Sequence, residues 1–501
     1  LVIKFYLNLI YKRSFFKFNH ILILIVNKYD MLSKCYLDKH KNYKKKYGKN
    51  EIYWGIGIEN EMYLEFNNKA RVSQKFFLNN HKSERYSVDY YKSYKDDILK
   101  NVFKQYSSEY NEFDLPILVN SHSFMYCDTQ NEFKTTYEKN PIQNKNFNGK
   151  TLHEYLIENN TFYKEHYNLD IVYDGDTVEF ITQNFYNTNI KNVIGELDKL
   201  KTDFINEIQP IFPFKEFGSI NIMEKNHPFA IYLTNMKNVS MFNNGTYHFN
   251  FTLPTKLNDK GDIENKYLFI QQHKNAIRLL QLFEPIFITM YGSIDPFHKY
   301  SYKFSYASQR CAVSRYIGLG TYNTSTMKNG KILHINVNEL DASFWFNIYH
   351  INSAYKKLDK IGLDINFNKH YYHGIELRFF DFFKNSNNSL YDLLEFIVYL
   401  LDHSLENESI IDFTKNEQWN EMTVNCMMNG KKSYLPSSQI QLFNNIFKTS
   451  YNPMNIETFY NNITFHLKEK YYGKGKCSKY MLENNSPTIP ISDSSCCCII
   501  I

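Results

Sequence analysis

The sequence predicts an α+β protein built around an antiparallel sheet. Two observations carry this. Strand-like runs follow one another with only polar turns between them, as at 218–223, 229–234 and 246–253. Long helical periods stand apart from these runs, and no regular strand–helix–strand alternation links them, which excludes a doubly wound parallel fold.

The elements follow in order. Residues 52–66 read as one long strand, with Gly55 and Gly57 near its start. An Asp174-Gly turn leads into a strand over 177–182. Val193, Ile194, Leu197, Leu200, Phe204, Ile205 and Ile208 recur at helical spacing, and Pro210 ends that helix. A second helix covers 274–290, with a kink expected at Pro285. Residues 371–383 return to strand, and 389–405 form a strongly apolar helix with Ser389 as its N-cap. The stretch 411–475 reads as helical, with Ile456, Phe459, Tyr460, Ile463 and Leu467 on one face.

Composition narrows the function class. With 43% hydrophobic and 22% charged residues, the chain is an ordinary globular protein and not a disordered one. A net charge of +6 over 501 residues is too mild for a dedicated nucleic-acid binder. The 42 Tyr and 41 Phe, with abundant Asn, Lys and Ile, reflect AT-rich codons, so single residues of these types carry little functional information. Cys35, Cys127, Cys311, Cys426 and Cys477 are scattered, with no C-x-x-C pair outside the tail, which points to a reducing compartment without disulfides or structural zinc.

The expected division is a segment 1–30 of upstream or non-native sequence before Met31, a basic lead-in over 31–50, a catalytic domain over 51–410, a helical appendage over 411–475 and a flexible tail over 476–501. An amphipathic targeting segment is the rival reading of 1–30; its apolar run, 21–26, is too short to span a bilayer. Cys498-Ile-Ile-Ile has the C-a-a-X form of a prenylation signal, and Cys496 and Cys497 offer a second lipid anchor. The expected location is cytoplasmic; the tail reads as a low-complexity end without lipid, with peripheral attachment to the cytoplasmic face of a membrane as the alternative.

Familiar catalytic motifs fail. Asn148-Gly-Lys-Thr151 ends like a P-loop, but Asn144 stands where the first Gly is needed. His153-Glu154 begins a zinc-protease pattern, but Ile157 replaces the second His. What remains is a set of acidic groups on strands. Glu59, Glu61 and Glu65 alternate in Gly57-Ile-Glu-Asn-Glu-Met-Tyr-Leu-Glu-Phe66, so in one strand they project from one face with Tyr63. They repel unless solvated or shared by a hard cation such as Mg²⁺. Glu179 sits among apolar residues in the strand after the Asp174-Gly turn. His248, Asn250 and Thr252 alternate with Phe249, Phe251 and Leu253. In His373-Gly-Ile-Glu-Leu-Arg-Phe-Phe-Asp381, Glu376 and Arg378 share a face and suit either adjoining tasks, one on a metal and one on a phosphate, or an ion pair.

These four motifs, in this order over most of the chain from Gly55 to Asp381, resemble the carboxylate–amine ligases of the glutamine synthetase superfamily, in the glutamate–cysteine ligase-like and amidoligase branches. The resemblance implies a curved antiparallel sheet, helices on its convex side, and a concave face that holds ATP and two or three Mg²⁺, with Mn²⁺ as a substitute. It implies metal-binding roles for Glu59, Glu61, Glu179, His248 and Glu376, with Arg378 on phosphate. Arg310 and Arg315, in Ser308-Gln-Arg-Cys-Ala-Val-Ser-Arg315, match a loop over the phosphates. Asn250 stands where relatives often have a second His, which leaves the number of metals open; it is placed with Glu376, His248 and the arginines as an ATP-site residue.

The implied reaction activates a carboxylate of a small molecule or peptide as an acyl phosphate, which an amine then converts to an amide. Alternatives are a phosphagen kinase-like phosphotransferase, a non-catalytic module that keeps the fold, and a Mg²⁺-dependent hydrolase. Retention of all the acidic positions with Arg378 speaks against the non-catalytic module, since unused buried charges are costly.

Overall fold

The computed structural model describes residues 53–73, 112–119, 124–126, 150–211, 218–224, 245–294, 306–308, 322–324, 328–329, 365–368 and 374–472, less 168, 175–176, 184–188, 261 and 408. The predicted strand at 229–234 and both chain ends lie outside these residues.

A six-stranded sheet forms the centre. Its strands are β1 (Tyr53–Met62), β4 (Ile171–Asp174), β5 (Thr177–Ile181), β7 (Gly245–Thr255), β8 (Ile365–Asn368) and β9 (Gly374–Asp381). They lie in the order β8-β9-β7-β1-β5-β4, and every neighbouring pair is antiparallel. This is the α+β arrangement that the sequence predicts. β4 and β5 pair antiparallel, with Asp174 opposite Thr177.

The long predicted strand at 52–66 is in fact two. β1 stops at Met62, Tyr63 lies outside both strands, and β2 (Leu64–Ser73) pairs with β3 (Glu112–Val119) and β6 (Ile220–Ile222) in a separate sheet. Tyr63 is buried in the core and its carbonyl accepts a hydrogen bond from Met223 N at 2.8 Å.

Period-two alternation divides the central sheet into two unlike faces. Ile56, Ile58 and Met62 of β1, Phe249, Phe251 and Leu253 of β7, and Ile375 and Leu377 of β9 are buried in one apolar core. After the short helices α1 (Leu152–Asn159) and α2 (Thr161–His166), helices α3 (Ile190–Ile208), α4 (Lys266–Tyr291) and α5 (Ser389–Glu406) supply a large part of that core. The helix predicted from the spacing of Val193 to Ile208 is α3, capped by Asn189 and followed by a 3₁₀ turn through Pro210.

α4 begins eight residues before the expected start, at Lys266, and Asn265 caps it by accepting from Leu268 N at 3.0 Å. Its first turn places Tyr267 and Leu268 toward solvent, 76% and 48% exposed, so the apolar periodicity there is misleading. The helix runs on through Pro285 to Tyr291. Ser389 is the first residue of α5 and not its cap: Asn388, in the left-handed conformation, takes that place, and Ser389 Oγ donates to Lys384 O at 3.1 Å.

The last helices, α6 (Glu417–Asn429), α7 (Ser437–Phe447) and α8 (Ile456–Tyr472), join the same core. Trp419 Nε1 donates to Leu282 O at 3.3 Å, and Phe283 of α4 meets Phe443 edge to face at 5.2 Å. Truncating so well packed an aromatic to Ala costs about 3–5 kcal/mol. This mass of helix backs the sheet and holds its other, polar face in place.

Candidate metal centre

The polar face is assembled by register. Glu59 stands opposite His248 of β7, and Glu61 opposite Glu179 of β5 on one side and Thr246 on the other. One row along, Asn250 lies between Gly57 and Glu376 of β9. Four separate strands therefore bring Glu59, Glu61, Glu179, His248, Asn250, Glu376 and Arg378 to one face.

Their side chains converge. His248 Nδ1 is 3.2 Å from Glu59 Oε2 and 3.4 Å from Glu376 Oε1, and its Nε2 is 3.8 Å from Glu61 Oε1. Asn250 Nδ2 donates to Glu59 Oε1 at 3.0 Å. Arg378 donates to Glu376 Oε1 at 2.7 Å. Glu59, Glu179, His248, Asn250 and Glu376 are buried, while Glu61 and Arg378 are partly open to solvent.

Electrostatics tie Arg378 to the whole group. Its partial burial works against its charge, but Glu376, Glu59, Glu61 and Glu179 together outweigh that cost and raise its pKa above the usual arginine value. Glu376 and Arg378 thus form an ion pair along one strand, set within a larger cluster of carboxylates.

The donor set suits a hard divalent cation. One ligand atom each from Glu59, Glu179 and His248 lie within 4.8 Å of one another. The carboxylate oxygens suit Mg²⁺ or Mn²⁺, whereas the single imidazole is a donor that Zn²⁺ or Fe²⁺ also takes. Asn250 supplies an independent sign: its Oδ1 is buried with no hydrogen-bond partner among the described residues, a carbonyl oxygen beside the same carboxylates.

Two sequence expectations need correction. Glu65 does not join Glu59 and Glu61, because it belongs to β2 and pairs opposite Leu118 and Asn221 in the second sheet. Tyr63 does not share their face either, because the chain breaks strand there and turns the ring into the core. Arg310 and Arg315 lie outside the described residues. Thr246 is a neighbour that the sequence reading missed, with Oγ1 3.4 Å from His248 Nε2; extending the His248, Asn250, Thr252 alternation one step back would have found it.

The fold and this face define an α+β protein with a candidate cation site on an antiparallel sheet. No family model matches the chain. It is 36% identical over 458 residues to uncharacterized protein R704 of Acanthamoeba polyphaga mimivirus, covering 89% of this chain and 80% of that one. The chain belongs to the family of that mimivirus protein. Among solved structures, a glutamate–cysteine ligase from Francisella tularensis, in complex with AMP, superposes with a TM-score of 0.38 and 10% identity over 86% of this chain and 80% of that one.

Proposed function

We propose that this chain is an ATP- and Mg²⁺-dependent carboxylate–amine ligase acting through an acyl phosphate. The observation that carries the reading is the gathering of four glutamates, His248 and Arg378 on one face of one sheet, from strands far apart in sequence. Such a concentration of buried negative charge is costly without cations.

In this reading Glu59, Glu179 and His248 hold one ion, and Glu61, Glu376 and the Oδ1 of Asn250 stand ready for a second. The metal supplies charge neutralisation of a triphosphate and polarises its terminal phosphoryl group. Arg378, anchored by Glu376, is held where its guanidinium stabilises charge on a phosphoryl group in transfer. His248, between Glu59 and Glu376, spaces the carboxylates on either side of it. Arg310 and Arg315 are offered as further phosphate contacts on their sequence positions alone. The substrates are a small-molecule or peptide carboxylate and an amine.

No helix among the described residues is long and apolar enough to cross a membrane.

Calorimetric titration of ATP into the full chain, with and without Mg²⁺, tests the reading. Binding that needs Mg²⁺ and is lost in Glu376→Ala is expected, followed by ADP release when acid and amine pools are supplied. Glu59→Ala, Glu179→Ala and Glu376→Ala each abolish turnover while leaving the far-ultraviolet spectrum unchanged. Wild-type turnover in any two of the three would sink the assignment. A stable phosphorylated product without amide would move it to phosphotransfer, and no binding at all to a non-catalytic module.

A further inference from the structure

On the other side of the sheet, where β1 passes into β2, a cavity of about 990 Å³ opens between α3, the end of β6 and the segment after β9. It belongs to the helix-covered face, since Met62 and Tyr247 line it while Glu61 and His248 point the opposite way. Its size falls at the upper end of small-molecule sites.

The charges in it are arranged unusually. Asp198 and Lys201 lie three residues apart on α3, hence on one helix face, and both line the cavity. Among the described residues neither makes a salt bridge, with each other or with any other group, so each is left to solvent or to a ligand. Lys201 is half-buried, with Nζ 5.8 Å from the centre of the Tyr247 ring. Burial pulls its pKa down to about 8, against the opposing effect of Asp198 and Glu224, so an incoming carboxylate would be the counter-ion it lacks. At the rim Lys384 and Glu224 are paired at 2.6 Å and neutralise each other. The rest of the wall is mixed: Ile205, Ile222, Phe382 and Leu390 lie beside the Tyr247 ring, with the amides of Asn67, Asn206, Asn221 and Asn385 among them.

We propose that this cavity binds an apolar α-amino acid, with its carboxylate on Lys201, its ammonium on Asp198 and its side chain against Tyr247 and the two isoleucines. One cation and one anion a helical turn apart match the short separation of charges in a zwitterion. A simple anion would meet Asp198 and Glu65 as repulsive neighbours, and a simple cation would meet Lys201. The volume accommodates a bulky side chain. The site is separated from the carboxylate face by the sheet itself, and its occupancy does not depend on the ligase reading.

Phenylalanine is the probe, titrated into the full chain by calorimetry beside 3-phenylpropanoate, which lacks the ammonium, and phenethylamine, which lacks the carboxylate. Phenylalanine binding with at least tenfold weaker binding of both analogues is expected. Lys201→Met should weaken phenylalanine binding at least tenfold, its melting curve reporting that the fold is kept, whereas Glu376→Ala should bind as the wild type does. Absence of phenylalanine binding to the wild-type chain, or equal binding of 3-phenylpropanoate, overturns the proposal without any variant. Undiminished binding in folded Lys201→Met also overturns it, and loss in Glu376→Ala would assign the amino acid to the carboxylate face instead.

Discussion

Glu61 and Glu179 stand directly opposite each other on adjacent antiparallel strands. Like charges in that relation destabilise a sheet unless something positive lies between them. Glu179 is also buried, which strengthens the repulsion. Arg378 and His248 offset part of that repulsion, so removing either charge should stabilise the metal-stripped protein by about 1 kcal/mol at most, the upper end for cross-strand pairs. Mg²⁺ at about a hundred times its dissociation constant should add about 2.7 kcal/mol to the wild type and much less to Glu61→Gln or Glu179→Gln. Melting curves in chelator and in Mg²⁺ measure both effects. Glutamine variants less stable than wild type in chelator would show that the carboxylates are held by protein donors and not by an ion.

Asn250 divides its amide between two tasks, with Nδ2 on Glu59 and Oδ1 buried without a hydrogen-bond partner. Asn250→Asp replaces the donor to Glu59 with another negative oxygen. The metal-free variant should lose about 1–3 kcal/mol, the cost of a lost buried hydrogen bond to a charged group. Its affinity for Mn²⁺ should rise, because the added carboxylate is a better ligand for a hard cation than an amide. Asn250→Leu should lose stability and gain no affinity. Calorimetric titration with Mn²⁺ alone separates the two variants.

Alternation within a strand is a local property, and it made Glu59 with Glu61, His248 with Asn250, and Glu376 with Arg378 legible as pairs. Which pair faces which is not local. The opposition of Glu61 to Glu179 depends on the register between β1 and β5, and no residue of either strand announces it. The same period-two rule failed at Glu65 because it assumes an unbroken strand. Tyr63, which reads as an ordinary strand residue, is where the chain leaves one sheet for another. At α4 the exposed Tyr267 and Leu268 hid the first turns, since apolar side chains facing solvent defeat a pattern that equates apolar with buried.

Gly245 opens β7 beside the carbonyl of Glu61. Its φ of +116° is a conformation that side chains resist, and a Cβ there would lie 2.3 Å from Glu61 O. Gly245→Ala must push β7 away from β1 where Thr246 pairs with Glu61. A loss of about 3 kcal/mol or more is expected from strain and clash together. Urea unfolding measures the stability. Divalent-cation affinity should fall in the same variant, although no ligand has been altered.

His273 of α4 ties that helix to the central sheet. Its ring is fully buried, with Nδ1 2.8 Å from Phe269 O, where it donates, and Nε2 accepting from Leu253 N at 3.5 Å. A proton on Nε2 would remove that acceptor. Burial pushes the pKa down to about 4, from about 6.5 in the unfolded chain. Between these values the unfolded state binds a proton that the folded state does not, so stability falls as pH drops through the window from 6.5 to 4. Going from pH 7 to pH 5, His273 alone should remove about 2 kcal/mol. His403, likewise pushed down to about 4 by burial, adds to the slope, so it does not vanish when His273 is replaced. His273→Gln, though less stable at pH 7, should lose about 2 kcal/mol less than wild type between pH 7 and pH 5. Urea unfolding at the two pH values, in chelator so that the carboxylate face does not contribute a metal effect, measures it. Equal losses in the two proteins would mean that His273 takes up its proton as readily folded as unfolded, so that neither burial nor the contact with Leu253 N keeps it neutral.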